Sequence, residues 1–274
     1  MASTANSRIV PGGEAPTLET SPRVSVVVPA YNEARRLPRT LRAICEYLSS
    51  RSYPAEVIVV DDGSTDGTAA YVRSALSSYS QLRLLENGSN RGKGYSVKHG
   101  VLQGRGRYVL FTDADLSTPI EEVDRALALL DQGWDVVVGS RALDPRLLER
   151  PQPWIRRQTG KVFRWVVRQL TGLPFQDTQC GFKAFRREAA QVLFRRQKIE
   201  GFGFDFEILW LARHLGFHCL EVGVRWMDDR RSHVSLLRDG PVMLWQMVQL
   251  AWRQHASRAE MEEYARSCRY PTRA

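Results

Sequence analysis

Arg107-Tyr108-Val109-Leu110-Phe111-Thr112-Asp113-Ala114-Asp115 is the stretch that decides the fold. Its first six residues form a short apolar run rich in β-branched and aromatic side chains, the signature of a buried strand. The run stops at two carboxylates on alternate residues and continues through Leu116-Ser117-Thr118-Pro119 toward a helix. Hard divalent cations prefer oxygen ligands, and Mg²⁺ commonly takes one or two carboxylates together with substrate phosphates. Asp-x-Asp also caps helices and fills turns, so the triplet alone does not define a site. A second apolar run, Val57-Ile58-Val59-Val60, likewise ends in acids, at Asp61-Asp62-Gly63-Ser64. Two strands of one α/β layer ending in acids point to a shared rim, the carboxyl edge where open α/β sheets bind their ligands.

Outward from this stretch the chain alternates strand and helix. Strands are expected at Val24–Val28, Glu56–Val60, Leu82–Glu86, Tyr108–Thr112 and Trp134–Gly139, with helices over about 34–50, 66–78, 94–103 and 119–130. Strands separated by helices argue for βαβ units and a mostly parallel central sheet in a single α/β domain. The second half is less regular. It predicts a basic helix at 155–170, an extended segment at 177–185, helices at 186–195 and 204–215, and a strand at 217–226. Residues 1–22, rich in Ser, Thr, Pro, Gly and Ala, read as a disordered leader. The domain itself is expected over 23–239, with 23–140 and 141–239 as its two halves. A mainly apolar helix at 240–253 opens the C-terminal segment 240–274.

The 274-residue chain carries a net charge of +9, unevenly spread. Residues 1–140 hold 15 basic against 16 acidic side chains, whereas 141–274 hold 24 against 14. Such a basic half suits phosphates, anionic lipid or nucleic acid, or simply decorates solvated helices. Cys45, Cys180, Cys219 and Cys268 are scattered and form no CxxC pair, which suggests reduced thiols in a cytoplasmic setting. No run approaches the ~20 apolar residues that span a bilayer, so any membrane contact is expected to be peripheral.

The loop motifs carry the chemistry. In Pro29-Ala30-Tyr31-Asn32-Glu33, Tyr31 could lie against a flat base while Asn32 and Glu33 offer hydrogen bonds. Asp62 could accept an imide N–H of uracil, or cap a turn with Gly63 and Ser64. Asn90-Arg91-Gly92-Lys93-Gly94 sets a cation among glycines before a helix, a favourable place for phosphate. Neither the GxxxxGK[ST] nor the GxGxxG spacing occurs there, which argues against those nucleotide sites. Arg141, after the strand ending in Gly139-Ser140, is suited to a bidentate phosphate contact. Asp205 and Glu207 could supply a general base or merely favour a helix dipole. His214 and His218 have metal-pair spacing, but Gly216 breaks the helix between them, so both read as structural.

Taken in order, VSVVVPAYNE, VIVVDDGSTDGT, NRGKG, FTDADLSTP, VVGSR, DTQCGFKAFRR and GFGFDFEIL resemble family-2 glycosyltransferases of the GT-A, Rossmann-like fold. The likeness covers roughly residues 23–250 and is nearest to the polyprenyl-phosphate branch that includes the dolichyl-phosphate β-glucosyltransferases. It implies a nucleotide-sugar donor, with UDP-glucose first, a divalent metal (Mg²⁺ or Mn²⁺), and inverting transfer to a polyprenyl or dolichyl phosphate. It further implies that Pro29, Tyr31, Glu33, Asp62, Lys93 and Ala114 line the donor site, that Asp115 holds the metal, and that Asp113 contacts the metal or the ribose. Arg141, Arg156 and Arg157 would then meet the acceptor phosphate. Some mannosyl relatives carry Gln where this chain has Ser117, which leaves a third protein ligand open. The implied partners are the donor, the lipid acceptor and the surface of a membrane, approached peripherally from the cytoplasmic, inner face. Two alternatives stand beside this reading. One is a soluble family-2 enzyme acting on a hydroxyl, with Asp205 or Glu207 as base. The other is a basic nucleic-acid-binding module, which no recognised nucleic-acid motif supports.

Overall fold

The runs VSVVVPA and AEVIVVD are too continuously apolar to leave one face in water, so each must lie in the middle of a covered sheet. The computed structural model describes residues 21–150, 165–227, 240 and 242–249. In it the two runs are β1 (Val24–Ala30) and β2 (Ala55–Asp61), buried almost throughout. They are joined by α1 (Leu37–Ser49). Next come α2 (Thr68–Ala75), β3 (Leu82–Glu86), α3 (Lys93–Gln103), β4 (Tyr108–Thr112), α4 (Glu122–Asp131) and β5 (Val136–Ser140). A short β6 (Leu148–Arg150), a helical stretch α5 over 165–171, and β7 (Phe182–Arg186) follow. The rest comprises α6 (Arg187–Arg196), α7 (Phe204–His214), β8 (Cys219–Gly223), β9 (Trp226–Met227) and α8, helical over 242–249.

Seven strands form one sheet in the order β3-β2-β1-β4-β7-β5-β8. Only β7 runs against the others, pairing antiparallel with both β4 and β5. The expected mostly parallel α/β domain is therefore present, and both sequence halves share its sheet. Apolar side chains of α1, α2 and α4 cover one face. Those of α3, α5, α6, α7 and α8 cover the other. Most of the leader at 1–22, and the tail from 250 onward, lie outside the described residues.

Several boundaries shift for local reasons. Helix α1 starts at Leu37 rather than near 34, because Asn32 adopts a left-handed backbone (φ 55°) and Pro38 sits in the first helical turn. Residues 219–227 make two strands where one was expected. At the break Val224 N donates to Ser140 O, and β9 leaves to pair with β6. Helix α8 is not uniformly covered. Met243 and Met247 are buried, whereas Val242, Leu244 and Trp245 are exposed.

At the edge opposite the strand carboxyl ends, Glu56 is buried and accepts from Ser25 Oγ (2.6 Å), Arg105 N and Arg83 Nη1 (2.7 Å). Burial raises its pKa, but these three donors outweigh burial and hold it below the ordinary 4.5. Such a group stabilises the fold above its unfolded pKa, and its contribution is lost as pH falls through the folded one. Glu56→Gln is expected to cost about 1.5–3 kcal/mol near pH 7. The gap from wild type should narrow as the pH drops below the normal carboxylate range. Thermal melts of both proteins at pH 7 and pH 3 check this; a gap that does not shrink contradicts it.

Candidate active site

Parallel pairing places the ends of β1, β2 and β4 at one edge, with Ala30 opposite Asp61 and Val27 opposite Phe111. The two acidic clusters therefore share the rim expected of them. Asn32 ties the first two loops together. Its backbone N donates to Ser64 Oγ (2.9 Å), and its side-chain oxygen accepts from Thr65 N (2.9 Å). This stitch leaves Tyr31 turned to solvent, 41% exposed. Pro29 is the half-buried penultimate residue of β1. Glu33 is buried; its carboxylate takes Arg36 Nε at 2.6 Å, and its backbone N donates to Thr68 Oγ1.

Asp62 works as a hub for the next loop. Its buried carboxylate accepts from Asn87 Nδ2 (2.7 Å), Arg91 N (2.9 Å) and Gly92 N (2.8 Å). Gly92 has φ +100°, and a Cβ there would meet Glu200 O at 2.6 Å. The glycines around Lys93 thus serve close packing against residues 199–204. Lys93 itself opens α3 and reaches Asp113 Oδ1 at 2.6 Å. Burial would lower the Lys93 pKa, yet Asp113, Asp205 and Asp115 raise it above the ordinary lysine value.

Asp113 follows β4 directly. Beside it, the carbonyl of Ala114 is anchored by Thr40 Oγ1 (2.6 Å), and Leu116 takes a left-handed backbone (φ 52°). This turn lets Asp115 Oδ1 accept from Ser117 N at 2.9 Å. Burial, and then the charge of Asp113, push the Asp115 carboxyl above the ordinary aspartate value. The acid pair is thus an all-oxygen donor set, chemistry that fits a divalent cation completed by ligand phosphates. Among the described residues no group of three His, Cys, Asp or Glu could hold a metal without such help.

The remaining candidates are more committed. Arg141 donates from Nε and Nη2 to buried Asp177 (2.6 and 2.8 Å), so an anion arriving there meets an ion pair. Arg156 and Arg157 lie outside the described residues. Glu207 is buried, and its oxygens accept from Lys198 N and Ile199 N, the nearest at 2.7 Å. Asp205 is buried and paired with Lys183. Burial raises the Asp205 carboxyl, against the pull of Lys183 and Lys93. His214 bonds Trp210 O, and His218 lies 3.7 Å from Asp135, so neither serves a metal pair.

Three residues at the site escaped sequence reasoning. Asn87 orients Asp62, Gly181 presses its bare Cα on Asp113, and Lys183 pairs with Asp205. Gly181 and Lys183 lie within the DTQCGFKAFRR motif, whose order gave no sign that it folds back beside Asp113.

Comparison with known proteins shows the family of the chain. A dolichyl-phosphate beta-glucosyltransferase of Dictyostelium discoideum is 36% identical over 84% of this chain and 74% of its own length. One from Drosophila melanogaster is 38% identical over 80% of this chain and 72% of its own. Glucosyl-3-phosphoglycerate synthase from Mycobacterium tuberculosis, crystallised with Mn²⁺, UDP and glucosyl-3-phosphoglycerate, superposes with a TM-score of 0.58. At 21% identity over 83% of this chain and 77% of that one, it shares the fold. The model for Glycosyl transferase family 2 matches residues 25–194. With its mostly parallel sheet and the acids of two strand ends on one rim, the chain belongs to glycosyltransferase family 2.

Proposed function

We propose that this glycosyltransferase moves glucose from UDP-glucose onto a polyprenyl or dolichyl monophosphate, with inversion at the anomeric carbon. The observation that carries the acceptor class is the commitment of both candidate bases. Glu207 holds the backbone of 198–199, and Asp205 is buried against Lys183. A hydroxyl acceptor must lose a proton as it attacks. A phosphate monoester is already anionic near neutral pH, its second pKa being ~6, and needs no protein base. The names of the curated relatives support the same acceptor.

In this reading an acceptor phosphate oxygen forms the new bond to the anomeric carbon while the bond to the UDP oxygen breaks. Tyr31 and Asp62 face the nucleoside, and Lys93 contributes positive charge near the diphosphate. Asp113 and Asp115 would hold a divalent cation, Mg²⁺ or Mn²⁺, which when bound supplies Lewis-acid stabilisation of the departing diphosphate. Arg141, braced by Asp177, meets the acceptor phosphate. The second half of the chain thereby serves the acceptor and the first half the donor.

The enzyme is further proposed to work as a peripheral protein at the cytoplasmic, inner face of a membrane. Among the described residues no helix is long and apolar enough to cross a bilayer. Helix α8 buries Met243 and Met247 against the domain and turns Val242, Leu244 and Trp245 outward, the last 62% exposed. An outward apolar face with surplus basic residues makes an interfacial anchor, to which each surface Lys or Arg near anionic lipid adds about 1 kcal/mol. Trp252, on the same expected helix, lies outside the described residues.

Asp115→Asn should abolish transfer of labelled glucose to dolichyl phosphate and Asp113→Asn should cripple it, with little change in melting temperature. Near-normal turnover in metal-containing buffer would remove both acids from the site. Assaying the acceptors directly separates the two classes: transfer of labelled glucose to dolichyl phosphate but not to dolichol or free sugars supports the phosphate reading, and equal transfer to a hydroxyl acceptor favours the hydroxyl one. For the membrane, wild type should sediment with anionic vesicles at low salt and less so at high salt, and Trp245→Ser should reduce the bound fraction. Equal binding by a folded Trp245→Ser variant would rule this helix out as the anchor.

A further inference from the structure

Behind the acid pair lies an ion pair that the transfer chemistry leaves unused. Lys183 on β7 is 0% exposed and Asp205 at the start of α7 is 2% exposed. Lys183 Nζ donates to Asp205 Oδ1 and, at 2.8 Å, to the carbonyl of Cys180. It also stands 5.3 Å from the centre of the Phe111 ring. The bond to Cys180 pins the turn that carries Gly181. That glycine lies so close to Asp113 that a Cβ on it would sit 1.9 Å from Oδ2. On its other oxygen, Asp113 takes Lys93 at 2.6 Å.

Taking two charges out of water costs several kcal/mol per ion, and apolar residues of like volume are often as stabilising in their place. The Lys183–Asp205 pair is therefore a poor way to hold the fold together, but a specific way to aim the Cys180–Gly181 turn. We propose that Lys183 and Asp205 are a positioning pair for Asp113, seating the Gly181 backbone against its carboxylate so that it stays aligned for the cation. The inference rests on the reading of Asp113 and Asp115 as the metal-binding acids, and neither Lys183 nor Asp205 touches the substrates in it.

The test is calorimetric titration of UDP, with and without Mn²⁺, into wild type, Asp113→Asn and the double variant Lys183→Met/Asp205→Leu. The double variant replaces the pair by apolar groups and should melt at or above the wild-type temperature. Its affinity for UDP without metal should be unchanged, while the gain in affinity brought by Mn²⁺ falls by about 10–100-fold, the usual effect of losing a residue that orients a metal ligand. A folded double variant that keeps the full Mn²⁺ gain, while Asp113→Asn loses it, overturns the proposal alone. Survival of that gain in Asp113→Asn overturns the metal reading itself, and the proposal with it. Should the double variant not fold, Gly181→Ala probes the same contact from its other end. It is expected to lose the Mn²⁺ gain, and retention of that gain would equally overturn the proposal.

Discussion

Two carboxylates on alternate residues repel each other, and at the end of β4 they cannot separate. Asp113 leaves a fully buried strand, and its charge raises the pKa of Asp115 two residues on, just before the left-handed turn at Leu116. The surroundings answer that repulsion with positive groups. Lys93 sits on Asp113, and Arg36 lowers the Asp115 pKa while burial and Asp113 raise it. The rest of the rim is arranged around this concentration of charge.

The frame that holds the acids is the run of parallel pairings from β3 to β4, which sets three loops side by side. The strand that completes the site, however, is the antiparallel one. By entering between β4 and β5, β7 delivers Lys183 beneath the rim and the Cys180–Gly181 turn onto Asp113. Only a residue without a Cβ fits there. The glycine therefore records a packing distance, and the same holds for Gly92 against Glu200.

Charge at the site is mostly paired before any ligand arrives. Asp62 is satisfied by Asn87 and two backbone N–H groups, Arg141 by Asp177, and Asp205 by Lys183. Preorganised groups of this kind need little rearrangement when a charged substrate binds, which is where electrostatic stabilisation is most effective. Asp62, Asp177 and Asp205 are thus already paired, in keeping with an acceptor that arrives ionised.

Much of the fold was legible in the sequence because each element announces itself locally. The apolar runs at Val24, Val57 and Tyr108, each followed by polar loop residues, marked the strands and placed Asp62 and Asp113 on one rim. The ordered motifs also carried the family. Three things were decided only by the tertiary structure. One is that β7 runs antiparallel inside the sheet, since a short extended segment does not encode which neighbours it pairs with. Another is that Glu207 caps a backbone turn while Asp205, two residues earlier, joins Lys183. The last is that Arg141 is braced by Asp177. Residue type and spacing specify what a side chain can do over a few positions, whereas these partners meet through packing across the chain. Long-range contacts set the partners that the sequence had left open.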